Sequence, residues 1–455
     1  MDVVILSRIQ FAMNISFHFL FPPLSIGLGL CLIIMEGAYL WTKNPVYERI
    51  TRFWVKIFAL IFAVGVATGL VMVFAFGNNW ATFSRFVGDV FGSILGAEGV
   101  FAFFLESGFL AILLFGWHKV SPKMHFFSTV IVTLGAHFSG LWIVFANSWM
   151  QTPAGFHIEV EGAVRHATIT NFWDVLLNPS SLDRLCHVIL GCWLAGSFLV
   201  MSVSAYYILK KRHIDFALKS FKIGLWVATV AVLLQLVSGD FTARGVAKNQ
   251  PIKLAAFEGV FKTTTPTAMW LGGYVDTKTK TVKGGKIPGL LSFLVYRNFN
   301  TAVPGLDNFP QDLWPNVSVV FQAYHWMITL WGVMLLTVLA AWIAVWRKKL
   351  DISKWTLRLL TVGVLFPEFA NQLGWYSAEM GRQPWIVYGV LKTVEGISKS
   401  ISAGQVLSSL IMFGAIYLLV FILFIYLMNR KIQHGPTEEI SDDAYRNAYA
   451  PGGNQ

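Results

Sequence analysis

Charge is what this chain has little of. Of its 455 residues only 13% are Asp, Glu, Lys or Arg, where a soluble domain carries about 25%. A water-soluble globular protein is thereby excluded. Cysteine is scarcer still: Cys31, Cys186 and Cys192 fall in apolar runs, and neither CxxC nor CxxCH occurs. A thiolate metal cluster and covalently attached haem are therefore not expected, and all three cysteines read as buried and structural. No short apolar stretch followed by a small-residue cleavage site opens the chain, so its start reads as a retained first span. No internal repeat is visible. The net charge is +11, but the basic residues lie between apolar runs and form no aromatic-interleaved patch. Nucleic acid is not an expected partner.

What is there is apolar length. Hydrophobic residues make up 55% of the chain and mean hydropathy is +0.60. Runs long enough to cross a bilayer, about 19 residues or more, fall near 14–40, 53–76, 93–117, 124–149, 185–209, 220–239, 318–346, 356–379 and 403–429. Short connections alternate in basicity. Lys43, Arg49 and Arg52, then Lys119 and Lys123, then Lys210, Lys211, Arg212 and Lys219, then Arg347, Lys348, Lys349 and Lys354 mark one side, and Arg430 and Lys431 follow the last run. The intervening links are poorer in Lys and Arg. The positive-inside rule then puts the N-terminus outside and the C-terminus in the cytoplasm. The expected fold is an all-α polytopic membrane protein with about nine transmembrane helices and one long extracytoplasmic loop. Its parts are helices 1–6 over 1–239, the loop over 240–317, helices 7–9 over 318–432 and a polar, mobile cytoplasmic tail over 433–455. The loop carries one short helix-like patch, 252–259, and loops of that length are usually functional or disordered.

Against this background the stretch Gly374-Trp375-Tyr376-Ser377-Ala378-Glu379-Met380-Gly381-Arg382-Gln383-Pro384-Trp385 stands out. Gly381 and Pro384 stop a helix, which places Glu379 in its last turn with Arg382 turning back over it. An acid that deep in an apolar segment is a functional candidate by default; an interfacial pair pinning a helix end is the ordinary alternative. The topology gives the other unusual residues a depth. His18 falls near the outer end of the first span, and His187 at the outer start of the fifth. Met327, preceded by His325, lies about a third of the way down the seventh. Glu98 is outer and Glu106 near mid-membrane, separated by roughly 12 Å of helical rise. Singly, each has a dull explanation: an interhelical bond, gap-filling, a solvated carboxylate. Jointly, two histidines, a methionine and two or three acids at one level, with no matching set of buried Lys or Arg, are hard to assign to packing. A His/Met pair makes a six-coordinate, low-spin haem, and a ligand without a sixth partner leaves iron open to a gas. The 18 Trp and 38 Phe would wall such a group, as they would also face lipid.

Along almost its whole length the chain resembles subunit I of the cytochrome bd family of quinol-dependent terminal oxidases. The likeness runs through Ser7-Arg8-Ile9-Gln10-Phe11-Ala12 with His18, Gly65-Val66-Ala67-Thr68-Gly69 and Glu98-Gly99. It continues in Phe103-Phe104-Leu105-Glu106-Ser107 and Ala146-Asn147-Ser148-Trp149-Met150-Gln151. Lys253-Leu254-Ala255-Ala256-Phe257-Glu258 and Gly381-Arg382-Gln383-Pro384-Trp385 complete the set.

The resemblance implies three haems. His187 and Met327 match the axial pair of a low-spin haem b. His18 and Glu379 match the ligands of two high-spin haems, one haem b and one haem d that some relatives replace by haem b; which ligand serves which haem stays open. Trp375, His325 and Arg382 fall beside these positions. Glu98 matches a carboxylate next to the oxygen-reducing haem, Glu106 and Ser139 a proton path from the cytoplasm, and Gln250, Lys253 and Glu258 the quinol-binding loop. The implied activity is oxidation of quinol at the outer face and reduction of O2 to water with cytoplasmic protons, so that a membrane potential forms without pumping. The implied partners are a second membrane subunit and, in some relatives, a very small third one, in a bacterial or archaeal cytoplasmic membrane. Two features depart from the pattern: the loop is of the short type, and His325 stands where an arginine is expected. A transporter or proton channel built on buried His and Glu, and a haem-b quinol oxidoreductase without oxygen chemistry, are the competing readings.

Overall fold

In the computed structural model, residues 2–99, 104–162, 164–348, 350 and 353–436 are described. Proline and small polar caps punctuate the chain as helix-start chemistry requires. Asp2 accepts from the Val4 N–H and opens α1 (Val3–His18), and Pro22 opens α2 (Pro22–Thr42). Asn44 caps α3 (Pro45–Asn78), which begins on a proline. The short α4 (Ala81–Phe86), α5 (Gly88–Glu98) and α6 (Phe104–Phe115) follow. Ser121 caps α7 (Pro122–Gln151). A hairpin of β1 (Phe156–Glu161) and β2 (Val164–Ile169) then leads through α8 (Phe172–Leu176) into α9 (Ser181–Leu209) and α10 (Ile214–Asn249).

The loop over 240–317 is more built than its composition suggests. Its first residues continue α10 as helix to Asn249. Then come α11 (Pro251–Phe257), an antiparallel hairpin of β3 (Met269–Asp276) and β4 (Thr281–Ile287), and α12 (Leu290–Tyr296). These pieces close over an apolar core of their own, in which Leu254, Phe257, Val260, Leu291 and Leu306 meet Phe321. That residue belongs to α13 (Val317–Trp346), so the loop is fastened to the membrane helices from below. The chain ends through α14 (Lys354–Thr361), α15 (Leu365–Met380), the small β5–β6 hairpin (Trp385–Val387, Leu391–Lys392) and α16 (Ala403–His434).

Seven helical segments among the described residues are long and apolar enough to cross a membrane, with α1 and α2 counted as one segment. Of the two remaining expected spans, one is described only in part and one is broken. The 93–117 run is described as α5 and α6, with 100–103 outside the described residues. The 356–379 run divides into α14 and α15, because Pro367 has no N–H to continue a helix back to Gly363. Ser202 of α9 fills that break: its hydroxyl donates to the Leu360 carbonyl at 2.8 Å and accepts from the Val364 N–H at 2.9 Å. Interrupted backbone in a membrane persists only where such partners re-satisfy it.

The first span starts at Val3, eleven residues earlier than expected. One of its buried polar residues is taken up by neighbours: Gln10 donates to Ser409 of α16 at 3.0 Å and accepts from Asn79 at 2.6 Å. His18 therefore sits at the last turn of α1, opposite Thr68, about ten residues or roughly 15 Å of rise from the Asn78 end of α3. It lies well inside the Val3–Thr42 span and not near its start. The three cysteines also divide. Cys31 and Cys192 are buried, whereas Cys186 points outward from the first turns of α9 and is exposed. The tail over 437–455 lies outside the described residues.

At the centre, α9 packs on α2, and Gly27 and Gly196 bring the two backbones into contact. A Cβ on Gly27 would lie 2.1 Å from the Cys192 carbonyl oxygen, and one on Gly196 2.1 Å from the Gly27 carbonyl carbon. This is the small-residue approach that lets membrane helices associate closely.

Candidate functional site

The short helix α15 organises the unusual residues. In its last turn, Glu379 accepts from Asn147 at 3.0 Å and from Gln151 at 3.0 Å, both through Oε1, while Arg382 Nη2 pairs with Oε2. Arg184, at the start of α9, donates to the side-chain amide oxygen of Asn147 and, at 3.2 Å, to the Ser148 hydroxyl. From the loop, Lys253 donates to Gln151 Oε1, and Gln250 donates to the Gln151 backbone carbonyl at 2.9 Å. One network therefore joins a single acid to three basic residues, Arg184, Lys253 and Arg382. The sequence analysis found no matching set of buried Lys or Arg. The structure corrects this: Lys253 and Arg382 are 2% and 3% exposed, because their loop segments fold back over the helix ends.

One turn deeper on the same helix, Gly374 faces Met327 of α13, and a Cβ there would lie 3.1 Å from the sulfur. On α9, His187 is held by α10, whose Gln235 amide lies 3.1 Å from Nε2 and whose Ser238 hydroxyl lies 3.3 Å from Nδ1. Gly239 leaves the His187 ring free on another side. Trp331, one turn from Met327, donates to the Val232 carbonyl of α10 at 3.0 Å. His187 and Met327 are thus tied to neighbouring turns of one helix. His18 reaches α15 through its own segment: Ser16 bonds Tyr376 at 2.7 Å, Gln372 donates to the Ser16 carbonyl at 2.9 Å, and Trp375 meets Phe19 edge-on at 5.4 Å. The His18 ring bonds Thr68 at 3.0 Å and faces Gly69. So α15 carries Glu379 and Trp375 and abuts the segments bearing His18 and Met327.

Glu98 and Glu106 both face α7. Ser139 donates to Glu98 at 2.7 Å, and Glu106 lies over Gly135, one turn nearer the Pro122 end of α7. Their contact points on α7 are therefore separated by roughly 6 Å of rise, half the spacing expected from one unbroken helix. Below them lies a group the sequence analysis did not single out. Glu36 of α2 pairs with His125 at 2.6 Å and accepts from Thr129 at 2.5 Å, all three buried.

The short helix of the loop is not a surface helix. Gln250, Lys253 and Glu258 are all buried. Burial pushes the Glu258 carboxyl up to about 7, against the pull of the Tyr324 hydroxyl that donates to it. Its Oε2 has no partner among the described residues. Burial, with Arg184 and Arg382 adding to it, holds the Lys253 ammonium well below the usual lysine range. His325 turns to the β3 hairpin. One ring nitrogen lies 2.9 Å from the Phe321 carbonyl and the other 3.0 Å from the Trp270 carbonyl, with the ring stacked on Phe321.

Asn147, Gln151 and Arg184 were missed as partners of Glu379. The first two stand in a stretch that carries the family likeness but were given no role, and Arg184 was counted only as a topological charge. The available signal was the spacing of Asn147 and Gln151, four residues apart and so on one face of α7.

The model of the family described as cytochrome bd terminal oxidase subunit I matches residues 6–436. The chain is 38% identical to the cytochrome bd ubiquinol oxidase subunit 1 of Bacillus subtilis, over 97% of this chain and 96% of that one. It is 33% identical to the cytochrome bd-II ubiquinol oxidase subunit 1 of Escherichia coli, over 96% and 97%. A solved structure of bd oxidase from Geobacillus thermodenitrificans superposes with a TM-score of 0.89 at 28% identity, covering 96% of this chain and 99% of that one. The chain belongs to the cytochrome bd terminal oxidase subunit I family.

Proposed function

We propose that this chain is the haem-bearing subunit of a membrane quinol oxidase that reduces O2 to water. In this reading quinol is oxidised at the outer face, and the protons for water are drawn from the cytoplasm. Turnover then builds a membrane potential without a pump. The observation that carries the reading is the network at the outer end of α15, where one acid is shared between loop residues suited to a quinol and helix residues suited to a haem.

The residues fit haem on grounds of local chemistry. A carboxylate offers about four lone-pair sites. On Glu379, Oε1 accepts from Asn147, Gln151 and, at 3.5 Å, Arg382, whereas Oε2 accepts from Arg382 alone, which leaves a lone pair of Oε2 for iron. The surplus of basic groups around it would be met by carboxylates such as propionates. Glycines face His18, His187 and Met327, the three soft ligands, where a side chain would crowd a flat ring. His187 and Met327 would hold a low-spin haem b; His18 and Glu379 would hold the high-spin pair, haem b with haem d or a second haem b. Bound haem supplies one-electron chemistry and, where a coordination position is open, a place for O2.

The chain's own residues do the rest. Glu258 presents a buried carboxyl oxygen to a quinol hydroxyl and takes its proton. Gln250 and Lys253 supply donors for the developing anion. On the opposite side, Glu106, Ser139 and Glu98 line up along α7 as a route for protons from the cytoplasm. The oxidase works with a second membrane subunit, and in some assemblies a very small third one, in a bacterial or archaeal cytoplasmic membrane.

A reduced-minus-oxidised spectrum of the complex purified from its native membrane, taken with and without carbon monoxide, tests the proposal. Low-spin and carbon-monoxide-responsive bands are expected together. A spectrum without chromophore would leave a transporter or channel, and haem bands blind to carbon monoxide would leave a quinol oxidoreductase without oxygen chemistry.

A further inference from the structure

Gln151 is the last residue of α7, 1% exposed, and every polar group beyond its N–H is committed. Its amide oxygen accepts from Lys253, its amide nitrogen donates to Glu379 Oε1 at 3.0 Å, and its backbone carbonyl accepts from Gln250 at 2.9 Å. A lysine ammonium only donates and an ionised carboxylate only accepts. The amide can therefore satisfy both neighbours in one orientation only, and a flip would oppose donor to donor and acceptor to acceptor. Two residues of the loop thus rest on one residue of α7, whose other end holds the acid of α15. No side chain other than Gln151 bridges Lys253 and Glu379 among the described residues.

We infer that Gln151 is a positioning residue that couples the quinol loop to Glu379, so that occupancy of the loop site changes the setting of the acid and, through it, the haem it serves. The inference rests on the function proposed above and adds a regulated link between its two sites. A quinol analogue that draws Lys253 or Gln250 to itself takes a donor away from Gln151. The amide is then free to turn or shift, and the hydrogen bond that orients Glu379 changes with it. Groups that orient a ligand from outside the coordination sphere tune the metal's properties. Coupling of this kind is reciprocal: a change in how Glu379 is held alters affinity at the loop site by the same factor.

The test uses the purified complex with its partner subunit and a redox-inert quinone-site inhibitor, a hydroxyquinoline N-oxide. In the wild type, saturating inhibitor should shift the absorption band and the midpoint potential of a high-spin haem. In Gln151→Leu the shift should vanish and the quinol KM should rise about tenfold, as for loss of a hydrogen bond to a charged group. The low-spin spectrum should stay intact and so report a folded complex. Gln151→Glu separates the two ends of the link, because it keeps a partner for Lys253 but sets a second carboxylate against Glu379. It should disturb the resting high-spin band more than the KM. A wild-type complex that is inhibited without any shift, or a Gln151→Leu complex with the full shift, overturns the coupling while leaving the proposed function standing. Failure of that function would instead show as a wild type with no haem bands or no inhibition.

Discussion

With burial holding the Glu258 carboxyl up to about 7, its titration crosses the range in which enzymes are assayed. Only the ionised form accepts a quinol proton, so kcat/KM for quinol should climb about tenfold per pH unit below 7 and level off above it. Glu258→Gln should flatten that profile at a low rate and leave the haem spectra unchanged; a spectral loss would make the residue structural. Stability runs in the opposite sense. A carboxyl raised above its ordinary value contributes fully below about 4.3, and that contribution is lost as pH climbs through about 7. Residue chemistry of this kind was legible in the sequence, since His, Met and Glu are conspicuous inside apolar runs. The partners that set it were not. Asn147 and Gln151 are amides at the end of a span, where such residues are ordinary, and only folding puts them against Glu379.

The elements that hold the site depend on close backbone approach. Where α2 meets α9, Gly27 and Gly196 leave no room for a Cβ. Gly196→Ala must push the helices apart, at a cost of about 1–3 kcal/mol for overpacking. Because α9 also carries His187, the variant should lose its low-spin haem at a lower temperature than the wild type in a thermal scan. Equal Tm values would mean that the contact is not needed. Helix positions along most of the chain were readable from apolar length alone. The interruption in 356–379 was not, because hydropathy is continuous across it. A single proline at 367, compensated by Ser202 from another helix, leaves no mark in a composition window. His18 was placed too near the end of its span for a related reason: the polar residues of α1 lower its hydropathy, yet they are buried in the fold, with Gln10 paired to Ser409 and Asn79.

At the scale of the whole molecule the acids are sorted by depth. The Glu379 network and the buried residues of the loop lie at one end, whereas Glu98, Glu106 and the Glu36–His125 pair descend along α7 towards its Pro122 end. Under the proposed function this polarity makes proton uptake and proton release separately breakable. In proteoliposomes, Glu106→Gln should slow O2 reduction about a hundredfold, as for loss of a proton-transfer group, and should abolish charge separation without changing the quinol KM. Unchanged turnover and potential would remove Glu106 from the route. The topology behind this prediction came from basic residues in short links, which depend little on packing. The loop's architecture was less readable, because the apolar residues that anchor it to α13 are spread over 254–321 and meet only after the chain doubles back.

The interrupted span also bears on how the protein is made. Neither α14 nor α15 is as long as the bilayer is thick, about 20 residues. Each piece leaves backbone groups that lipid cannot solvate. Such segments cannot be released singly from the insertion machinery; they have to be retained until the Ser202 face of α9 receives them. The order of synthesis is then part of the fold: the piece that bears Glu379 settles into a frame its earlier neighbours have already completed.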